Sequence, residues 1–332
     1  MSKVKLTGFY LVLISLIIGV ALFSLTHGQL AISTSELFAV IRGAGSRAQR
    51  LLVIDFRLPR IILSVLAGGA LGMSGTILQS VTKNPLADTG ILGINAGAGF
   101  TVLLFISFVE TTTATVFLLP LVALVGALAA AGGILLIAFD RRKGLTPVRM
   151  VLTGVVLSSG ISAMTILLTT KLDSENYRFV TMWQAGSIWG SNWSFVGAMV
   201  PWLLICFLVA MSRHRIYDIL QLGDETAVSV GVNVGRERLL SLLLAVIAAA
   251  AAISVTGGIG FLGLIAPHIV RGLGIKKHMN LLPASLLTGG LLLLLSDTIG
   301  RLLLPTGEIP AGVIVAIIGA PYFLYLLLKN ND

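Results

Sequence analysis

The sequence predicts an all-α, polytopic membrane protein with about ten transmembrane helices and both termini cytoplasmic. Three observations carry that reading. Charges are too few for a water-soluble fold, apolar runs long enough to cross a bilayer follow one another, and basic residues are confined to clusters between them. Only 11% of the 332 residues are charged and 56% are hydrophobic, where a soluble domain carries about 25% charged residues. A span needs about 20 apolar residues, and most of the runs reach that length. The net charge of +9 is then a membrane-flank signal. Lipid is the expected environment, and no nucleic-acid partner is expected.

The runs lie near 6–26, 61–82, 90–109, 114–138, 148–170, 195–212, 238–257, 260–270, 280–300 and 309–328. The first follows Lys3 and Lys5 and lacks a small-x-small cleavage pattern after it, so it reads as a retained span. The second opens on "DFRLPR" (55–60), with Pro59 in the first helical turn, where a missing N–H costs nothing. It continues through "GGALGMSG", which sets Gly68 and Gly72 four apart on one face. In the third run "GILGINAG" does the same with Gly93 and Gly97. Small residues at this spacing let helices approach closely in lipid.

Between the fifth and sixth runs, Trp183, Trp189 and Trp193 suit an aromatic interfacial belt. The sixth holds the lone cysteine, Cys206, which excludes an internal disulfide and heads no metal-ligand cluster. "GIGFLG" (258–263) joins the seventh run to a short eighth, and its glycines suit a tight bend rather than a dinucleotide site, since no strand precedes them. The eighth is short enough to be a half-helix or a re-entrant segment. The ninth ends on Asp297, with Arg301 one turn later. His268, at the end of the eighth run, has no companion ligand and reads as structural.

With the N-terminus inside, fifteen of the 23 Lys and Arg residues fall inside and eight outside, in keeping with the positive-inside rule. Five of the eight, Arg42, Arg47, Arg50, Arg57 and Arg60, crowd the short loop 27–60. That excess asks for a reason beyond topology. Intramembrane acids are scarce, which argues against an ion-coupled carrier. There is no phosphate-binding G-x-x-x-x-G-K-[ST] and no metalloprotease or nucleophile-elbow motif. No catalytic residue and no metal ligand is therefore assigned.

The inner loop 213–238, "RHRIYDILQLGDETAVSVGVNVGRER", is long and patterned. Gly223 and Asp224 can stop one short helix and start another, with Asp224 as N-cap and Glu225 favouring the helix's positive end. Leu222, Ala227, Val228 and Gly231 complete a mixed small and apolar surface. Such a helix suits either a partner's groove or the lipid headgroups.

Seven stretches together resemble the FecCD-type permeases of ABC importers for ferric siderophores, haem and cobalamin. They are "RLPR" (57–60), "GTILQSVTKNPLADTGILGINAGA" (75–98), "WQAGSIWG" (183–190), "LGDETAVSVGV" (222–232), "GFLGLIAPHIVR" (260–271), "SDTIGR" (296–301) and "EIPAGVIVAIIGAPYFLYLL" (308–327). The resemblance runs nearly end to end and implies one transmembrane permease domain over residues 1–332. It implies a second permease subunit, identical or related, with translocation along their interface. It also implies two ATPase subunits that use ATP and Mg, a substrate-binding protein outside, and no cofactor on this chain. Most of the specificity would then lie in the binding protein.

By the same resemblance, Arg57, Arg60 and Arg301 become docking points for glutamates of the binding protein. The 222–232 stretch becomes the coupling helix that enters a cleft on the ATPase. Gly68, Gly72, Gly75, Gln79, Asn84, Pro85, Gly93 and Gly97 are assigned to helix packing or the translocation path. Exposed Arg–carboxylate pairs are worth about 0.2–1 kcal/mol each, so such docking is weak, oriented and reversible. The motifs leave a ferric siderophore, haem or cobalamin open as cargo.

Overall fold

The computed structural model describes residues 3–28, 30–109, 118–140, 144–188, 190–304 and 306–329. In chain order the helices are α1 (Lys3–Thr26), α2 (Thr34–Ile41), α3 (Arg47–Arg50), α4 (Leu58–Thr82), α5 (Ile94–Phe108), α6 (Leu119–Ala138), α7 (Pro147–Thr169) and α8 (Ser174–Gln184). There follow α9 (Trp193–Ser212), α10 (His214–Gln221), α11 (Asp224–Ser229), α12 (Val234–Thr256), α13 (Leu262–Gly272), α14 (His278–Leu302) and α15 (Ala311–Lys329). Among the described residues, seven helices are long and apolar enough to cross a bilayer. They are α1, the unit running from α3 through α4, α6, α7, α9, α12 and α14; α5 and α15 are shorter apolar helices. At 11 residues, α13 is about 16 Å long, half of a hydrocarbon core about 30 Å thick. The eighth run is therefore a half-helix. The start of the fourth predicted run (114–117), the basic cluster Arg141, Arg142 and Lys143, and Trp189 lie outside the described residues.

Burial ranks the helices. Windows of the α3–α4 unit, α12 and α14 are 83%, 72% and 61% buried, against 6% for α1 and 11% for α7. The core is thus the α4–α12–α14 group, with α13 wedged against α4 and α14. Glycine makes the wedge possible. A Cβ on Gly68 would stand 2.3 Å from the Gly289 carbonyl oxygen, and one on Gly75 only 1.8 Å from that of Gly263. In lipid, where hydrophobicity does not drive helices together, backbone approach of this kind is the main source of packing. At the rim, α1 is tied to α14 by the Tyr10 hydroxyl, which donates to the Asn280 carbonyl at 2.9 Å.

Three expectations change. Loop 27–60 is mostly helical, because Ser33 with Glu36 and Ser46 with Gln49 form reciprocal capping boxes that start α2 and α3. A π-helical stretch, Leu51–Arg57, joins α3 to α4, and Pro59 stands in the first turn of α4, as expected. There the Leu58 N–H bonds the Val53 carbonyl. In that register Pro59 would donate to Ile54 but has no N–H to give. Trp193 Nε1 takes the freed Ile54 carbonyl at 3.0 Å instead. The connection 171–194 also holds a helix, α8, capped by Asp173, which accepts from the N–H groups of Glu175 and Asn176. Finally, a two-residue antiparallel pair, β1 (Phe139–Asp140) with β2 (Gly144–Leu145), interrupts the all-helical pattern between α6 and α7.

Candidate functional site

At one end of the bundle, where α4 starts, sequence-distant helices bring Arg57, Arg60 and Arg301 together around a cavity of about 180 Å³, which Phe56 and Glu308 also line. The three are not free surface cations. Arg60 sits one turn past the π stretch and forks onto Asp297 (Nη2–Oδ1 2.8 Å, Nε–Oδ1 3.0 Å) and onto Glu308 (Nη2–Oε2 2.7 Å, Nη1–Oε1 3.1 Å). Arg57 is buried and donates to the carbonyls of Leu25 and Leu30. Arg301 donates to the Ser24 hydroxyl and stands 3.4 Å from Asp297. Three guanidiniums thus face two carboxylates, and the cluster keeps one net positive charge. At Arg60, planar bidentate pairing explains why arginine rather than lysine fills the place.

In the middle of the fold, Gln79 knits the α4–α5 connection to α13. Its Nε2 donates to Gly263 at 3.2 Å and to Leu264 and Ala87 at 3.4 Å, while its Oε1 accepts from Arg271. Asn84 and Pro85 shape the turn, the Asn84 side chain accepting from Leu86 N–H at 2.9 Å. Asp88 accepts the N–H of Phe261 at 3.3 Å, at the start of α13, where Phe261 adopts a left-handed φ of 65°. Gly68, Gly72, Gly75 and Gly97 are packing glycines. Gly93 differs from expectation: it stands before α5 in the left-handed region, at φ 63°. Gly257, also left-handed at φ 70°, makes the bend before α13. His268 packs edge-on against Tyr322, ring centres 5.6 Å apart.

At the opposite end of α4, α11 is tied to its neighbours. Its N-cap is Gly223, not Asp224, because Gly223 takes φ 116°, which a side chain would strain. Asp224 instead bonds Lys83 at the end of α4 (2.6 Å) and Arg238 on α12 (3.1 Å). The Lys83 hydrogen bond, helped by Arg238, holds the Asp224 carboxyl below its ordinary range. Gly231, at φ 84°, ends the element. Ala227 is buried, while Leu222, Val228 and Val230 are exposed beside the exposed acid Glu225.

Just before α11, α10 is fastened by a buried relay. His278 bonds Asp218 through Nδ1 at 2.7 Å and Ser80 through Nε2 at 2.5 Å. Ser80 is wholly buried, so this Ser–His–Asp array braces α10 against α4 and α14 rather than attacking a substrate.

A second cavity, about 400 Å³, lies midway along α7 between α5, α8 and Gly258. Asn95, Ser158, Ser162, Thr165, Trp183 and Gln184 line it. Trp183 faces this space instead of serving as a belt residue. Sequence reasoning missed the site, although Ser158, Ser162 and Thr165 at i, i+4 and i+7 form a polar stripe on a helix.

The model of the FecCD transport family matches residues 15–329. The chain is 42% identical over 321 residues to the iron(3+)-hydroxamate import system permease protein FhuG of Bacillus subtilis, covering 95% of each. It is 38% identical to that organism's iron-uptake system permease protein FeuC, covering 97% of each. Among solved structures, a metal-chelate type ABC transporter described in an inward-facing conformation superposes with TM-score 0.84 at 28% identity, over 99% of this chain and all of that one.

Proposed function

The chain belongs to the FecCD transport family, a family of membrane permeases, and on that premise we propose that it is the permease subunit of an ATP-driven importer for a ferric siderophore. The observation that carries this is the end-to-end likeness to an iron(3+)-hydroxamate permease. In this reading residues 1–332 form one transmembrane domain of about ten spans, counting the half-helix α13, with both termini cytoplasmic. A second permease subunit completes the pathway. A binding protein delivers the chelate outside, and two ATPase subunits use ATP and Mg inside. The two ends of the molecule support this division of labour. The outer arginine cluster keeps a net positive charge that an acidic partner can engage by competing with Glu308 for Arg60. On the inside, α11 and its flanking residues show Leu222, Val228 and Val230 to a groove while Asp224 ties it to α4 and α12. ATP closure then moves α11, and the core helices switch access from one side to the other.

The test is uptake by the complete importer in liposomes, offered labelled ferric siderophores, haem and cobalamin with ATP enclosed. ATP-dependent accumulation of a ferric siderophore is expected. Accumulation of haem or cobalamin alone, or iron uptake that ignores ATP, refutes the proposal.

A further inference from the structure

The cavity beside α7 belongs to neither docking end, and its chemistry is specific. Asn95 Oδ1, Ser158 Oγ and Gln184 Nε2 are buried there and make no hydrogen bond to any described residue. Buried polar atoms are normally paired, and leaving them unpaired costs stability. Three around one space mark a place built to be visited. They supply an acceptor, a donor and a hydroxyl that does both, with Ser162 and Thr165 continuing the polar edge. No charged side chain lines the cavity among the described residues. It therefore has no countercharge for a polyanion and no carboxylate for a bare cation, and an unpaired charge at membrane depth is costly. On its α7 side the space is open, since Ile166 is exposed and α7 is among the least buried of the long helices.

Building on the iron-chelate reading, we infer that this cavity is a passage subsite for the uncharged, hydrogen-bonding face of a ferric chelate. The matching class is one whose ligand charges balance iron(III), with amide, hydroxamate or hydroxyl groups at its rim. The permease then adds its own selection after delivery, against chelates of high negative charge. Contacts this few bind weakly, as a passage site requires.

The experiment uses the complete importer in liposomes, reading radioiron moved per ATP hydrolysed. A neutral ferric trihydroxamate is the first probe and a multiply anionic ferric tris-catecholate the second. Replacing both amides, Asn95→Leu with Gln184→Leu, is expected to lower the neutral chelate's ratio by about tenfold, the scale of losing one or two ordinary hydrogen bonds to a ligand. ATP hydrolysis stimulated by the binding protein is expected to persist, which also reports assembly. Should that double variant fail to assemble, Ser158→Ala carries the test, and an unchanged ratio there overturns the subsite. If the unmodified importer moves no ferric chelate, the import reading itself falls. If it moves the tris-catecholate but not the trihydroxamate, import stands and the charge assignment falls. If the variants match the unmodified importer, import stands and the subsite falls.

Discussion

Arg60 shows how a residue proposed for docking also holds the fold together. Its guanidinium is the nearer partner of the buried Asp297, so removing it leaves that carboxylate only the longer contact with Arg301 at 3.4 Å. Breaking such a pair from one side costs about 3–5 kcal/mol. Arg60→Met is therefore expected to lower the thermal unfolding temperature in detergent strongly, and Arg60→Met with Asp297→Asn to recover much of the loss. Docking is read more cleanly through Glu308, whose side chain is the more exposed of the two acids. Glu308→Gln frees one fork of Arg60 and is expected to tighten binding-protein association at low salt with little change in stability; unchanged affinity counts against docking there. Asp224 gives the pH case. Its folded pKa is depressed, so its contribution is full above the unfolded value of about 3.9 and is lost as pH falls through the lower folded value. The pair is half exposed, which limits it to about 0.2–1 kcal/mol. Asp224→Asn should cost that much at pH 7, and unfolding scans should show the difference closing on strong acidification. The crowding of basic residues in loop 27–60 made Arg57 and Arg60 conspicuous in the sequence, and the family resemblance added Arg301. The sequence could not reveal that the partners of Arg60 stand more than 230 positions away in the chain.

Among the helices, glycine decides what can touch. Gly75 has no room for a methyl, whereas Gly160 on α7 faces open space. Overpacking typically costs about 1–3 kcal/mol, more where backbone blocks the way. Gly75→Ala is expected to lose folded yield and thermal stability, while Gly160→Ala stays close to the parent protein in the same size-exclusion and melting assays. The i, i+4 spacing of Gly68 and Gly72 was legible because helical periodicity needs no tertiary information. Gly93 is closely packed, a Cβ there standing 2.9 Å from Ile134 and Ser158, but it does so from the turn before α5 rather than from the helix face, because the same spacing also arises when the first glycine precedes the helix. The π stretch at 51–57 was only half legible: Pro59 announces a missing donor, but the Trp193 N–H that takes the Ile54 carbonyl comes from across the fold. The His278 relay crosses three elements. His278→Ala is expected to leave ATP hydrolysis largely intact while lowering chelate moved per ATP, because α10 loses its brace to α4 and α14. Equal losses in both would reduce the relay to a stability role.

For the whole molecule, composition was enough to show a polytopic helical membrane protein, because charge deficit and span length are properties of the chain alone. What composition could not show is which helix is left thinly packed by its own chain. Both α1 and α7 are thinly buried, but α7 also carries the stripe Ser158, Ser162 and Thr165, which is a poor face to offer to lipid. A polar, weakly packed helix next to a cavity is where a pathway between two subunits belongs. The lone cysteine, Cys206, is buried on α9, so Ser162→Cys, at a position already exposed, adds a single reactive thiol. In the complete importer, a water-soluble maleimide is expected to label it from one side of the membrane without nucleotide. Labelling should fall by about an order of magnitude with ATP trapped, which requires a shift between states of roughly 1.4 kcal/mol. Labelling at one constant rate in both conditions would mean that α7 does not change its access to water, and alternating access along this helix would be wrong.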